Sequence, residues 1–159
     1  MKKVLLALIT ILLLFYSWKQ YRHFYKVDDI VFTVWKTTKG YCYITPYIYL
    51  GINLPKDNYI KVSNLDYTNI YIDDNATLYL YNDGSKVECQ FTRFKCIYSP
   101  PPEIGAKKIS DITEEKLEEY TKREQLWSEK WNMCEKTMSS ILLDIRYMNV
   151  SIKSHSDKN

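Results

Sequence analysis

The 159-residue chain carries 22 Lys and Arg against 19 Asp and Glu, a net charge of +3. Several of the surplus cations flank the first apolar run, so the remainder is near neutral and offers no electrostatic footprint for nucleic acid. Fifteen tyrosines with only four glycines and five prolines exclude a disordered or low-complexity polymer, and the roughly 130 residues beyond the apolar run suit one domain with one core.

Val4 to Trp18 is a run of fifteen residues without a charge, preceded by Lys2 and Lys3 and followed by Lys19, Arg22 and Lys26. This pattern predicts a hydrophobic N-terminal anchor helix. As a helix the run spans roughly 22 Å, short of the ~30 Å hydrocarbon core, with Lys3 and Lys19 able to snorkel and Tyr16 and Trp18 suited to an interface. The basic start and apolar run also have the form of a cleaved secretory signal. Against cleavage, Phe15-Tyr16-Ser17-Trp18 is bulky where signal peptidase needs small residues, and Cys42 lies too far downstream to be lipid-modified at a processing site. The expected organisation is an anchor and connector over residues 1–26, one extracytoplasmic α+β domain over 27–153 and a polar tail over 154–159. Secretion after cleavage is the alternative.

Gln20 to Asp29 is a basic-aromatic connector in which His23 has no carboxylate or cysteine at a useful spacing for chemistry. Ile30 to Lys36 is rich in β-branched and aromatic residues and reads as a strand. Tyr41 to Leu50 then sorts its residues by parity: Tyr41, Tyr43, Thr45, Tyr47 and Tyr49 against Cys42, Ile44, Pro46, Ile48 and Leu50. Successive strand side chains point to opposite faces, so tyrosines go to one side and aliphatics to the other, with Pro46 marking an edge or a bend.

The same sorting recurs downstream. Ile70 and Ile72 oppose Tyr71, and Leu78 and Leu80 oppose Tyr79 and Tyr81. Asp73-Asp74-Asn75 is a turn lacking the further ligands a calcium loop needs. Asn82-Asp83-Gly84-Ser85 predicts a hairpin leading into Lys86 to Phe94. With Tyr59 to Ser63, the expectation is an antiparallel meander of about six strands.

Ser99-Pro-Pro-Pro-Glu103 reads as a stiff linker before a helix, with Asp111 and Glu114 placed as a capping box and Glu118–Lys122 and Glu119–Arg123 as i,i+4 pairs. Leu117, Tyr120, Trp127, Trp131, Cys134 and Met138 form one stripe, interrupted only by Glu124, which is the natural lid for the aliphatic sheet face. The pattern extends that helix to about Arg146, followed by an irregular tail.

Cys42, Cys89, Cys96 and Cys134 include no Cys-x-x-Cys pair, so zinc is not indicated and disulfides are the candidates if the domain lies outside. Four cysteines allow three connectivities, and a bridge from Cys134 to a sheet cysteine would pin the helix to the sheet. No phosphate loop, nucleophile elbow or metalloprotease motif is present, so no catalytic residue, metal site or cofactor is expected. The best candidate surface is the tyrosine face of Tyr43, Tyr47, Tyr49, Tyr71, Tyr79 and Tyr81, whose stiff amphipathic rings suit a protein partner or, alternatively, a carbohydrate such as peptidoglycan.

Overall fold

The computed structural model describes residues 2–20, 22–63, 66–75, 77–82, 87–98 and 113–154. Helix α1 (Lys2–Gln20) leads into strands β1 (Arg22–Val27), β2 (Ile30–Lys36), β3 (Tyr41–Thr45), β4 (Tyr59–Ser63), β5 (Tyr67–Ile72), β6 (Thr77–Asn82), β7 (Glu88–Gln90) and β8 (Lys95–Tyr98). Helix α2 (Glu114–Thr137) follows, and β9 (Ser139–Asp144) and β10 (Asn149–Lys153) complete the described chain. The α+β class and the long C-terminal helix are as expected. The single six-stranded meander is not: the strands form two five-stranded sheets, ordered β1-β2-β3-β4-β7 and β10-β9-β5-β6-β8.

The two sheets exist because each has one aliphatic face that must leave water. Val27, Phe32, Val34, Ile44, Ile60 and Val62 of the first sheet share one buried core with Ile70, Ile72, Leu78, Leu80, Ile141 and Leu143 of the second. Each sheet is therefore the other's cover. Residues of opposite parity point outward, and on the second sheet these include Tyr71, Tyr79 and Tyr81.

Helix α2 covers that outward tyrosine face, which corrects its expected place on the aliphatic side. Trp131 and Cys134 are buried against Tyr71, with Tyr79, Tyr81 and Trp127 packed around them. The physical reason is area and kind. A helix about 10 Å wide covers roughly two strands spaced ~4.8 Å apart, too little for five aliphatic strands, whereas its indoles match tyrosine rings as tilted and edge-on neighbours.

Further differences follow from pairing that local sequence does not encode. The stretch expected as a connector is β1, which pairs antiparallel with β2 from Arg22↔Trp35 to Val27↔Ile30 across a turn at Asp28, whose φ is 49°. The expected hairpin between β6 and β7 does not form, because β6 pairs with β5 and in parallel with β8, while β7 crosses to β4. Asp83 and Gly84 themselves lie outside the described residues, as do the proline linker, Asp111 and the tail beyond Ser154.

Helix α2 starts after Thr113 and stops at an extended Met138, whose N–H reaches the Cys134 carbonyl at 2.9 Å. Beyond it the period changes from helical to two: Ile141, Leu143 and Ile145 turn inward, and β9 takes a central position between β5 and β10. The expected continuation of the helix to Arg146 is thus replaced by a hairpin. Strand β3 ends at Thr45, immediately before Pro46, so Tyr47 and Tyr49 belong to a loop over residues 46–58.

Helix α1 stands apart from both cores, and every residue from Lys2 to Ser17 is exposed. Its charged and amide residues lie at its ends, so its apolar part is shorter than the helix, and no helix among the described residues is long and apolar enough to cross a membrane.

Two substitutions separate the inner core from the outer one. Ile44→Ala should lower global stability by about 2–5 kcal/mol in urea unfolding, as a large-to-small change in a fully buried site. Trp131→Ala should speed hydrogen exchange selectively over α2 while β2, β3 and β5 keep their protection, measured by mass spectrometry.

Candidate functional site

The six tyrosines expected to form one face are divided among three environments. Tyr71, Tyr79 and Tyr81 lie beneath α2, with ring centroids 5.5 Å from Tyr71 to Trp131, 5.3 Å from Tyr81 to Trp127 and 5.6 Å from Tyr81 to Trp131. Tyr71 is 5% exposed, and its hydroxyl accepts a hydrogen bond from Asn69 Nδ2 at 2.8 Å. Burial, reinforced by the nearby Glu135 carboxylate, pushes the Tyr71 phenol up to about 12, so it is a neutral structural group at physiological pH.

Tyr43 lies on the outer face of the first sheet, where the strand register builds a row that sequence reading missed. Arg22 pairs with Trp35, Trp35 with Tyr43, Tyr43 with Lys61 and Lys61 with Glu88, one residue from each strand in sheet order. Because directly opposed residues point to the same face, the five side chains cross the whole sheet as cation, indole, phenol, cation and carboxylate. Lys61 Nζ lies 3.0 Å from Glu88 Oε2 and 4.8 Å from the centre of the Tyr41 ring. Tyr59 donates from its hydroxyl to Glu88 Oε1 at 2.5 Å, and its ring lies 5.5 Å from that of Tyr43.

At the other end of the row, Arg22 is 3% exposed and its guanidinium lies 3.8 Å from the Trp35 ring, 5.0 Å from Trp18 of α1 and 5.5 Å from Tyr49. It also donates to the carbonyl oxygens of Tyr49, at 3.4 Å, and Gly51. Thr33 holds the same loop, donating to the Tyr47 carbonyl at 2.7 Å while its oxygen accepts from the Tyr49 N–H at 2.9 Å. The Tyr49 ring folds back so closely that a Cβ on Gly51 would stand 2.5 Å from its hydroxyl oxygen, so a side chain there would displace the end of the ring. Tyr47 and Tyr49 are thus loop residues fixed by Arg22 and Thr33, not members of a strand face.

This loop carries Ile48, Leu50, Ile52 and Leu54 exposed to solvent, Ile52 at 88%. Ile52 and Leu54 form one wall of a cleft of about 540 Å³, with Trp18, Trp35, Tyr41 and Tyr43 also lining it. Lys36 and Lys39 also line it, and Lys36 Nζ donates to the carbonyls of Ile145 and Arg146 at 3.1 and 3.0 Å. The cleft is an apolar recess with aromatic rings on one side and exposed aliphatic chains on the other, a shape suited to an apolar side chain.

All four cysteines are free thiols. Cys134 packs on the outside of the second sheet, while Cys42, Cys89 and Cys96 belong to the inter-sheet core, so the expected bridge from Cys134 to a sheet cysteine is not formed. No group of three or more His, Cys, Asp or Glu placed to hold a metal ion occurs among the described residues. Comparison with family models, curated proteins and solved structures finds no match, so the functional reading rests on this geometry.

The Tyr59–Glu88–Lys61 group gives the outer face a defined pH window. Hydrogen bonds from Tyr59 and Lys61 hold the Glu88 carboxyl below its ordinary range, a contribution present above the unfolded carboxylate value and lost as pH falls through the depressed one. The same hydrogen bond pushes the Tyr59 phenol up to about 12, a contribution present below the ordinary tyrosine value and lost as pH rises towards 12. Urea unfolding of the parent and of Tyr59→Phe should differ by about 1 kcal/mol between roughly pH 5 and 9, with the difference shrinking at both extremes.

Proposed function

We propose that the protein is a non-catalytic, membrane-tethered interaction domain that binds a protein partner through the outer face of its first sheet, using Trp35, Tyr41 and Tyr43 with the Ile52–Leu54 wall of the cleft. The observation that carries this reading is the contrast between the two outward aromatic faces. One is covered by α2. The other is not covered by α2 and is half-buried at Trp35 and Tyr43, and an exposed aliphatic loop stands beside it. Large rings at the centre with charged groups at the rim match the composition of protein-recognition surfaces.

Tethering is assigned to α1. A helix apolar over fifteen residues and exposed on every side has surface that water disfavours, and lipid is the partner that would remove it without a polar face. The run is short for a full crossing, so flanking Lys2, Lys3 and Lys19 would have to reach the headgroups. In this arrangement the soluble domain lies outside the cytoplasm, with its cleft beside the end of α1 and close to the bilayer surface. Tyrosine and tryptophan at the site also suit a sugar ring, and retention by cell-wall polysaccharide is the result that would move the assignment to that class.

The test uses the full chain solubilised from membranes, with Tyr43→Ala/Ile52→Asp compared against Tyr79→Ala. The first variant should lose a discrete co-purifying protein that the parent and the second variant both retain. Equal recovery with all three would contradict the proposed face. Alkaline carbonate should leave the parent in the membrane pellet, and its appearance in the supernatant would contradict the tether.

A further inference from the structure

The two thiols at the open edge of the sandwich are placed for a reaction that the other two cysteines cannot undergo. Cys89 is on β7 and Cys96 on β8, the terminal strands of opposite sheets, and their sulfurs lie 2.9 Å apart. Both are half-buried, within reach of a small oxidant. Cys42 is fully enclosed between the sheets, where burial pushes its thiol up to about 12, and Cys134 is enclosed on the inner side of α2 against the second sheet.

The approach of Cys89 to Cys96 is built by the segment between them. Asn58, held at a φ of 52°, accepts with its Oδ1 from the N–H of Thr92 at 2.8 Å and of Arg93 at 3.1 Å, while its Nδ2 donates to Thr92 Oγ1 at 3.0 Å. The Phe91 and Phe94 rings pack edge to face at 6.1 Å on the same turn. The turn is thereby clamped by the loop residue that precedes β4, and the cysteines that flank it are presented to each other before any bond forms.

We propose that Cys89 and Cys96 form a disulfide that fastens the two sheets together at their β7–β8 edge, an assignment resting on the reading that this domain lies in an oxidising compartment. The oxidant is a disulfide, either a small molecule or the active centre of a thiol oxidase. The Cys96 thiolate attacks one of its sulfurs and releases the first oxidant thiol. Cys89, giving up its proton, attacks the resulting mixed disulfide at Cys96 and releases the second. Two protein thiols are oxidised, one oxidant disulfide is reduced to two thiols, and no further electron carrier is required. Hydrogen bonding between the two sulfurs favours this order, since it holds the Cys96 thiol below the ordinary range and Cys89 above it.

Covalent closure there has a structural purpose. β7 and β8 are only three and four residues long and sit at the ends of their sheets, each paired on one side only. The bond also has a convenient analytical signature, because Arg93 and Lys95 separate the cysteines into different tryptic peptides, 87–93 and 96–107.

The full chain, reduced and then treated with oxidised glutathione, should become lighter by the two hydrogens lost and yield a peptide joining 87–93 to 96–107. Cys42 and Cys134 should be alkylated only after unfolding. The oxidised parent should unfold at a higher urea concentration than the reduced one, and Cys89→Ser should abolish that difference. Persistent free thiols at both positions, a stable glutathione adduct at either, or pairing with Cys42 or Cys134 would overturn the assignment. Cells quenched in acid and alkylated test the compartment separately: a bond that forms in vitro but is absent in cells leaves the pairing standing and removes the extracytoplasmic reading.

Discussion

The architecture depends on the mutual burial of two aliphatic sheet faces. The strands from β2 to β6 place mostly aliphatic side chains, with Phe32 and Cys42, on the inner side, and five strands' worth of apolar surface is more than a single helix can cover. A second sheet can cover it. Once the two sheets meet, Phe32 stays inside while Tyr43, Tyr71, Tyr79 and Tyr81 face outward, and the remaining question for the fold is which outward face is covered by the rest of the chain. Helix α2 takes the second sheet, because Trp127 and Trp131 meet Tyr71 and Tyr81 there ring against ring. The row on the first sheet is buried at Arg22, half-buried at Trp35, Tyr43 and Lys61 and exposed at Glu88.

Arg22 connects this outcome to α1. A buried guanidinium needs both stacking and acceptors, and it finds indoles from α1 and β2 together with two loop carbonyls. Desolvation lowers its pKa, yet at physiological pH it remains a fixed positive centre. One residue thus ties the end of the apolar helix, the edge strand and the aliphatic loop into a single corner. In the proposed arrangement that corner is where the domain meets the bilayer and where a partner enters, so tether and recognition surface are built from the same contacts.

Much of this was legible in the residues. The parity of Ile70, Ile72, Leu78 and Leu80 against Tyr71, Tyr79 and Tyr81 predicts the inward and outward faces, and the stripe from Leu117 to Met138 predicts the helix. What sequence could not supply was pairing between distant segments. The Asp83–Gly84 pair announces a reversal but not which sheet receives the next strand, and Ile141 to Ile145 satisfies both a helical and an alternating period until β5 is present as a neighbour. The row on the first sheet was hidden for the same reason, since Arg22, Trp35, Tyr43, Lys61 and Glu88 have no common spacing along the chain. One signal was available and under-read: a helix stripe of tryptophans is a better match for tyrosines than for isoleucines.

The placement of α2 decides the account, because it determines which aromatic face the helix covers and which it does not. Nuclear Overhauser contacts from the Trp131 indole of the full chain in detergent micelles report it directly. The account predicts cross-peaks to the Tyr71 and Tyr81 rings and none to the methyl groups of Ile60 or Leu80. Cross-peaks from that indole to the inter-sheet methyls, with the tyrosine rings silent, would contradict it.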